Sequence, residues 1–302
     1  MSEKYAFIAA ERADTNATTV ANAPTIAQMC AWLGVSKSGF YDWLHRPPSP
    51  AQQHRELLKT KIAALFKAFG GVYGYRRIHA ELRRAGEQVG CELVRALMRQ
   101  LGLVCIQPRP YRTTTVRGPA EPDTADLVQR DFSAEAPGTK LVGDITYIPT
   151  WQGWLYLATV IDCFNKEVIG YAMASHMRAE LVTDALDMAA RNHPLAKGCI
   201  MHSDRGSQYT SAAYLAKLAE LGLVPSLGRT GVCFDNALAE SFFGSLKNER
   251  VHHMVYPTRR KAKEDIARYI ELFYNHRRLH SGLGYRTPHE VRNQYMSQQL
   301  VA

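Results

Sequence analysis

The order of apolar and polar residues divides the chain into two regions of different character. Before about residue 103, apolar side chains recur every three or four positions, which is the period of an amphipathic helix. Helices are therefore predicted over residues 25–32, 37–45, 51–69, 76–84 and 91–102. From Lys140 onward, short runs rich in β-branched and aromatic residues predict strands over 141–150, 154–164, 167–174, 199–204 and 223–227.

Helical periodicity returns between and after these strands, over residues 179–192, 212–221, 237–251 and 259–274. The predicted order is βββαβαβα, followed by one more helix. Three successive strands form a meander, and the later strands alternate with helices. This layout predicts an α/β fold of the RNase H-like type, a mixed sheet flanked by helices, preceded by a small all-α region.

Two helix-turn-helix patterns are predicted in the helical region. Gly34 ends the first helix and Ser36 is a suitable N-cap for the second, which proline residues stop after His45. A second, similar unit follows a glycine-rich break and begins near Arg76. The predicted domains are 1–50 (helix-turn-helix segment), 51–107 (basic helical DNA-binding domain), 108–134 (linker) and 135–298 (catalytic core).

Positive charge is concentrated in one segment. The chain has a formal net charge of +9, and residues 46–117 alone contain 14 Lys and Arg against four acids. Such a segment fits a polyanion-binding surface, although an arginine-rich solvated helix would have the same composition. The predicted DNA contacts are Lys37, Arg76, Arg77, Arg205 and Lys247.

Composition excludes several classes of protein. No apolar run approaches the roughly 20 residues needed to cross a bilayer, and the N-terminal stretch is a poor signal peptide because charges interrupt it. A cytoplasmic protein is therefore expected. The six cysteines form no CxxC pair and none lies at metal-ligand spacing from a histidine, so ordinary thiols are expected rather than a zinc module.

Three acids stand where a sheet and a helix could bring them together. Asp144 lies within the first predicted strand, where a charge is costly unless it has a use. Asp204 ends a later strand, at the edge where α/β folds place reactive groups. Glu240 lies in the first turns of a helix. Taken singly, a strand aspartate is most often structural and a helical glutamate is most often solvated.

Together, these three carboxylates predict a metal site. Converging carboxylates repel one another unless cations are present, and hard oxygen ligands suit Mg²⁺, for which Mn²⁺ is expected to substitute. Two such ions can activate the attacking oxygen and stabilise the leaving oxygen in a displacement at phosphorus. Lys247 lies seven residues after Glu240 on the same helical face, where it could meet a DNA phosphate.

Neighbouring polar residues offer other interpretations. Asp162 ends the second strand, and a structural role is favoured over one near the site. Asp235 is expected to cap the helix that carries Glu240 rather than to bind metal. His202 and Ser203 flank Asp204, but no third partner makes them a nucleophilic pair.

The segments that hold the acids resemble the catalytic motifs of bacterial insertion-sequence transposases. The resemblance is to the second-reading-frame product of the insertion-sequence-three group, within the retroviral integrase superfamily. Asp204 and Glu240 are separated by 35 residues, the spacing that names the acidic triad of this family. The matching segments are Gly143–Ile148, His202–Tyr209, Asp235–Phe243, Phe273–His280, Leu283–Pro288 and Val35–Trp43.

The resemblance implies a DDE catalytic core in which Asp144, Asp204 and Glu240 are both catalytic residues and metal ligands. It implies Mg²⁺-dependent cleavage at the ends of an element and attack of the freed 3′-OH on another phosphodiester, which is DNA transposition by integration and recombination. The implied partners are double-stranded DNA, at element ends and target, and further copies of the chain on paired ends. A bacterial, nucleoid-associated protein is expected.

Three alternatives stay open at this stage. The chain could be a catalytically silent DNA-binding regulator derived from a transposase, although all three acids and Lys247 are intact. It could be a general RNase H-type nuclease, which would not need the basic segment. The chain carries no heptad zipper of its own, so it could act alone or through fusion or association with a first-frame partner.

Overall fold

The computed structural model describes residues 1–17, 24–106, 126–228 and 236–301. Within these ranges the chain separates into two compact units, Met1–Ala64 and Leu65–Ala302. The division of the chain into four domains stays a prediction.

The first unit is helical. It contains α1 (Ser2–Ala17), α2 (Ile26–Leu33), α3 (Lys37–His45) and the first part of α4 (Pro50–Ala68). A capping box at Thr25 begins α2, Gly34 ends it with a left-handed φ of 62°, and Ser36 caps α3. The helical pair predicted here is therefore present, and its apolar faces pack with α1 in a core of Tyr5, Ile8, Met29, Cys30 and Phe40.

Two short helices open the second unit after the end of α4. They are α5 (Tyr75–Arg84) and α6 (Cys91–Gln100), which pack against each other. Their facing stripes are buried, as the helical periodicity predicted, through Ile78, Leu82, Val94, Leu97 and Met98.

A five-stranded mixed sheet forms the centre of the second unit. Its strands lie in the order β3-β2-β1-β4-β5. The first three strands form an antiparallel meander, and β4 runs parallel to both β1 and β5. The RNase H-like layout predicted from the sequence is thus confirmed. The strands are β1 (Lys140–Ile148), β2 (Leu155–Asp162), β3 (Val168–Ala174), β4 (Ile200–Ser203) and β5 (Val224–Leu227).

Helices cover both faces of the sheet and enclose two apolar clusters. On one face lie α7 (Ala179–Asn192) and α8 (Ala212–Glu220). On the other face lie α9 (Ala237–Glu249) and α10 (Arg259–Arg268). The packing of α7 is close at Gly170, where an added Cβ would lie 2.2 Å from the carbonyl oxygen of Ala185.

The helix predicted over 259–274 is not regular throughout. After α10 the chain widens into a π-helical turn, Tyr269–Tyr274, in which Asn275 N donates to Ile270 O. The Asn275 side chain then pairs with the backbone of Val168, accepting from its N at 3.1 Å and donating to its O at 3.0 Å. We attribute the wider turn to this pairing, because the two hydrogen bonds require the Asn275 side chain to lie beside Val168 at the start of β3.

Two helices were not predicted from the sequence. These are α1 and the final helix α11 (Pro288–Val301). Neither carries the regular apolar stripe that marks a buried helix, because charges interrupt α1 and polar residues dominate α11.

The remaining global predictions concern cysteines and membranes. Among the described residues, Cys30, Cys91, Cys105, Cys163 and Cys199 form no disulfide, while Cys233 lies outside the described residues. Of the helices in the described ranges, none combines the length and apolar character that crossing a membrane requires.

Candidate active site

Asp144 lies in the middle of β1, the central strand of the sheet. Its side chain is half-buried, and its Oδ1 accepts a hydrogen bond from Ile145 N at 2.7 Å. Burial, followed by the nearby charge of Asp204, raises the pKa of Asp144 to about 7, and Glu240 adds to the rise. Asp144 is therefore within electrostatic reach of both other acids, which lie far from it in the sequence.

Asp204 and Glu240 approach the site from two other elements. Asp204 directly follows β4, which pairs in parallel with β1, and its Oδ1 accepts from Gly206 N at 3.0 Å. A Cβ at Gly206 would lie 3.0 Å from that oxygen, so glycine lets the loop close on the carboxylate. Glu240 lies in the first turn of α9, and desolvation raises its pKa. Both acids are exposed.

Lys247 lies two turns beyond Glu240 on α9. Its Nζ is 5.0 Å from the ring centroid of Tyr147, three residues after Asp144 on β1. The positive charge of Lys247 acts to lower the pKa of Asp144, opposing the burial. Burial in turn lowers the pKa of Lys247. Lys247 therefore lies within electrostatic reach of Asp144, and its contact with a DNA phosphate stays a prediction.

Two buried polar residues that were not predicted to take part support the site from behind. Asn236 Nδ2 donates to Gly143 O at 3.1 Å, which ties the start of α9 to β1 next to Asp144. Tyr209 is buried beneath Gly143, where an added Cβ would lie 3.4 Å from its hydroxyl. Burial, followed by the charge of Asp144, raises the pKa of Tyr209 well above its usual range. In the sequence, Tyr209 and Asn236 are marked only by their positions inside the motifs His202–Tyr209 and Asp235–Phe243.

The donor set suits a divalent cation, although the side chains do not form a closed cage. Among residues 1–17, 24–106, 126–228 and 236–301, no three His, Cys, Asp or Glu side chains are close enough together to hold one ion between them. Mg²⁺ does not need such a cage, because it keeps several waters and is held by one or two carboxylates together with substrate phosphates. The neighbouring carboxylates repel the charge of Asp144 and contribute to its raised pKa, and a divalent cation would relieve that repulsion.

Competing residues have structural contacts. Asp162 Oδ2 accepts from Gly138 N at 2.7 Å and its Oδ1 from Phe164 N at 2.9 Å, which agrees with the structural role favoured from the sequence. His202 Nδ1 lies 2.8 Å from Ser226 Oγ, whereas the hydroxyl of Ser203 donates to Asp204 O at 3.1 Å. Asp235, the predicted helix cap, lies outside the described residues.

The predicted DNA contacts differ in how free they are to meet DNA. Lys37, the first residue of α3, and Arg76, on α5, are both exposed. Arg205 instead donates through Nε to Gly228 O at 3.0 Å. Arg77 Nε donates to Leu279 O at 2.9 Å, which joins α5 to the C-terminal part of the core.

Two integrase structures resemble the chain. The magnesium-bound integrase catalytic core domain of HTLV-2 covers 52% of this chain and 98% of its own, with 15% identity and a TM-score of 0.41. A simian T-cell lymphotropic virus intasome with a regulatory subunit of PP2A covers 76% of this chain and 74% of that chain, with 13% identity and a TM-score of 0.46.

Family models match most of the second half of the chain and its basic helical segment. Integrase core domain models match residues 134–233 and 221–288, and an HTH-like domain model matches residues 53–111. Both the core and the helical region that the sequence predicted are thus recognised as family domains.

Proteins of insertion elements match the chain at much higher identity. An uncharacterized 31 kDa protein of insertion element IS600 from Shigella sonnei is 41% identical over 267 residues, covering 88% of this chain and 98% of the relative. Transposase InsF of insertion sequence IS3A from Escherichia coli is 37% identical over 296 residues, covering 97% and 100%. A transposase of element IS904 from Lactococcus lactis is 40% identical over 247 residues, covering 81% and 97%. The chain therefore belongs to the insertion-sequence transposases of the IS3 family and is a DNA transposase with a DDE-type polynucleotidyl transferase core.

Proposed function

We propose that Asp144, Asp204 and Glu240 form the metal-binding catalytic triad of this transposase. The observation that carries the proposal is the electrostatic coupling of Asp144 to both other carboxylates. In support of it, Asp144 lies in β1, Asp204 directly follows β4, which pairs with β1, and Glu240 lies in the first turn of α9, which packs against β1. Divalent cations held there, Mg²⁺ or Mn²⁺, would activate the attacking oxygen and stabilise the leaving oxygen of a phosphodiester.

The protein's own groups hold and orient the carboxylates for this task. The backbone N–H groups of Ile145 and Gly206 each bind one carboxylate oxygen. No other described residue donates to the second oxygen of either aspartate, which is the oxygen proposed to face the metal. Lys247, held against the Tyr147 ring, presents a positive charge beside the acids and is the proposed contact for a phosphate of the strand being cut. The substrates follow from this assignment: the ends of an element for cleavage, and target DNA for attack by the freed 3′-OH.

The test compares cleavage and binding by matched variants. The full chain is incubated with Mg²⁺ and a labelled element-end duplex, and strand cleavage is followed on denaturing gels. Asp204→Asn should abolish cleavage and retain DNA binding. Asp184→Asn, an exposed aspartate on α7 across the sheet, should cleave like the wild type.

The outcomes separate the enzyme from a silent regulator. If the wild type and Asp204→Asn both bind the duplex equally and both leave it whole in Mg²⁺ and in Mn²⁺, the chain binds DNA without cutting it. If Asp204→Asn cleaves normally, another residue holds the metal.

We also propose, from the family resemblance, that copies of the chain act together on paired element ends. The same resemblance supports association with a first-frame protein and a location on the nucleoid. Analytical ultracentrifugation of the chain with end duplexes tests the first point. A complex that contains a single chain at all protein concentrations would contradict it.

A further inference from the structure

A polar cavity of about 370 Å³ lies along α9 in the unit formed by residues 65–302. Three of its lining residues are cationic, three are serines and none is acidic. Its walls come from α5, from the loop before β1, from the β2–β3 turn, from α9 and from the segment after the π-helical turn. The lining residues that matter are Arg77, Lys166, Ser241, Ser245, Arg278 and His280.

Several polar groups in this cavity lack partners. The ammonium of Lys166 and the hydroxyls of Ser241 and Ser281 make no hydrogen bond or ion pair with any residue that the structure describes. The ring of His280 is only 7% exposed, and its Nε2 has no partner in the same part of the chain. Buried polar groups in proteins are nearly always hydrogen-bonded, so the unpaired Nε2 of buried His280 indicates a ligand in this cavity. Ser241 and Ser281 are exposed and Lys166 is half-buried, so their donors are open to the same ligand.

The cavity wall is built to hold positive charge. The buried Arg278 is fixed by Glu249, which accepts from its Nε at 2.8 Å, and its Nη2 donates to Ser245 Oγ at 3.1 Å. Burial, and then the charges of Arg278, Arg77 and Lys166, lower the pKa of His280 to about 3. The fields of all three cations thus converge on one buried ring.

Lys166 is held in an unusual backbone conformation at the cavity. Its φ is 62°, in the left-handed region that non-glycine residues seldom adopt. The backbone there is fixed by Lys166 N, which donates to Asp162 O at 2.8 Å. Its side chain passes close to Gly282, where an added Cβ would lie 3.3 Å from Lys166 Cε. The lysine is therefore positioned by its surroundings, and no acidic residue in the described ranges pairs with its ammonium group.

We propose that this cavity binds a phosphate group, supplied by the backbone of the DNA strand that passes the active site. Lysine, arginine and serine hydroxyls are the donors that phosphate oxygens need. The cavity also adjoins the catalytic helix, because Ala237, Ser241 and Ser245 form one stripe of α9, next to the stripe that carries Glu240 and Lys247. The neutral ring of His280 can donate to the same phosphate when Nε2 carries its single proton.

The choice of DNA as the source of the phosphate rests on the proposed function, whereas the site itself rests on the cavity. A strand lying along α9 with one phosphodiester near Glu240 would carry further phosphates past the neighbouring stripe. Anchoring one of them beside the catalytic helix would fix the register of the strand. Phosphate contacts of this kind position a protein on DNA without reading its sequence.

The experiment measures DNA affinity against salt with EDTA present, so that cleavage plays no part. Lys166→Gln should weaken binding of the end duplex about tenfold and reduce the slope of log K against log salt by roughly 0.9. Ser241→Ala serves as the second variant. Because alanine favours helix, this substitution should leave α9 folded. Lys217→Gln is the matched control, because that lysine lies on α8 at the opposite face of the sheet, and it should leave the slope unchanged.

A methylphosphonate scan then locates the phosphate. One neutral substitution in the end duplex should weaken binding by the wild type but not by Lys166→Gln. A slope and a scan that are the same for Lys166→Gln, Ser241→Ala and the wild type, with all three folded by circular dichroism, would overturn the proposal.

Titration with inorganic phosphate, followed by ³¹P NMR, separates the two sources. Phosphate binding that Lys166→Gln loses, together with a scan that shows no dependent position, would overturn the DNA source and leave a free-phosphate site. This arm needs neither DNA binding nor cleavage. Failure of the catalytic assignment, seen as normal cleavage by Asp204→Asn, is therefore distinguishable from failure of the cavity assignment.

Discussion

Replacing Asp144 with asparagine should stabilise the metal-free protein, and should do so more at high pH. Asparagine has nearly the shape of aspartate, and its Oδ1 can still accept the hydrogen bond from Ile145 N. What it removes is a charge that burial and the neighbouring carboxylates disfavour. The proposed catalytic role of Asp144 thus has a measurable cost to folding.

The magnitude follows from the pKa. The folded protein raises the pKa of Asp144 from 3.8 to about 7, and each pKa unit corresponds to about 1.4 kcal/mol. Because the folded pKa is raised, the cost is absent below the unfolded pKa, grows between the two values and is complete above the folded pKa. At high pH it therefore approaches about 4 kcal/mol, as an upper bound, and between about pH 4.5 and pH 8.5 it grows by roughly 3 kcal/mol.

Urea unfolding in EDTA at the two pH values tests this prediction. The free energy of unfolding of Asp144→Asn, relative to wild type, should rise with pH, whereas Asp184→Asn on α7 should show little change. Adding Mg²⁺ should stabilise the wild type and leave Asp144→Asn nearly unaffected, since a ligand that binds only the folded state stabilises it. A variant that is destabilised equally at both pH values would refute the reasoning.

Three further predictions concern packing and charge. Glu249→Gln should lower the free energy of unfolding by about 3–5 kcal/mol, because it leaves buried Arg278 without its anion; the same change at exposed Glu264 should cost under about 1 kcal/mol. Tyr73→Phe should cost about 1–3 kcal/mol, because the Tyr73 hydroxyl satisfies two backbone groups of the C-terminal segment. Arg76→Ala should reduce the salt slope of DNA binding by roughly 0.9 with unchanged stability; an unchanged slope would remove Arg76 from the phosphate contacts.

Local sequence patterns located most of the secondary structure. Both α3 and α7 match their predicted ranges end to end. Ser36 and the prolines after His45 mark the ends of α3, and the apolar period alone marks α7. Where the pattern was weak, as in α1 and α11, the helices were missed. The π-helical turn was missed because a helical period cannot show where Asn275 must meet β3.

The neighbouring arginines of α5 show what a local pattern cannot resolve. Arg76 and Arg77 look equivalent in a basic helix, and both were predicted to contact DNA. In the fold, Arg76 is exposed, whereas Arg77 donates a hydrogen bond to Leu279 O and lines the cavity beside α9. Helical rotation places adjacent residues about 100° apart, so the packing of one face decides their different surroundings.

The sequence by itself determined the family motifs, the order of the five strands with the helices between them, and the choice of Asp144, Asp204 and Glu240, because these depend on residue types at fixed spacings. Only the tertiary structure decided which polar groups support them. Tyr209 lies beneath Gly143, Asn236 joins α9 to β1, and the cavity beside α9 draws its residues from five segments far apart in the chain. Such contacts are set by which faces of the sheet and helices pack together, and no periodicity within one segment records them.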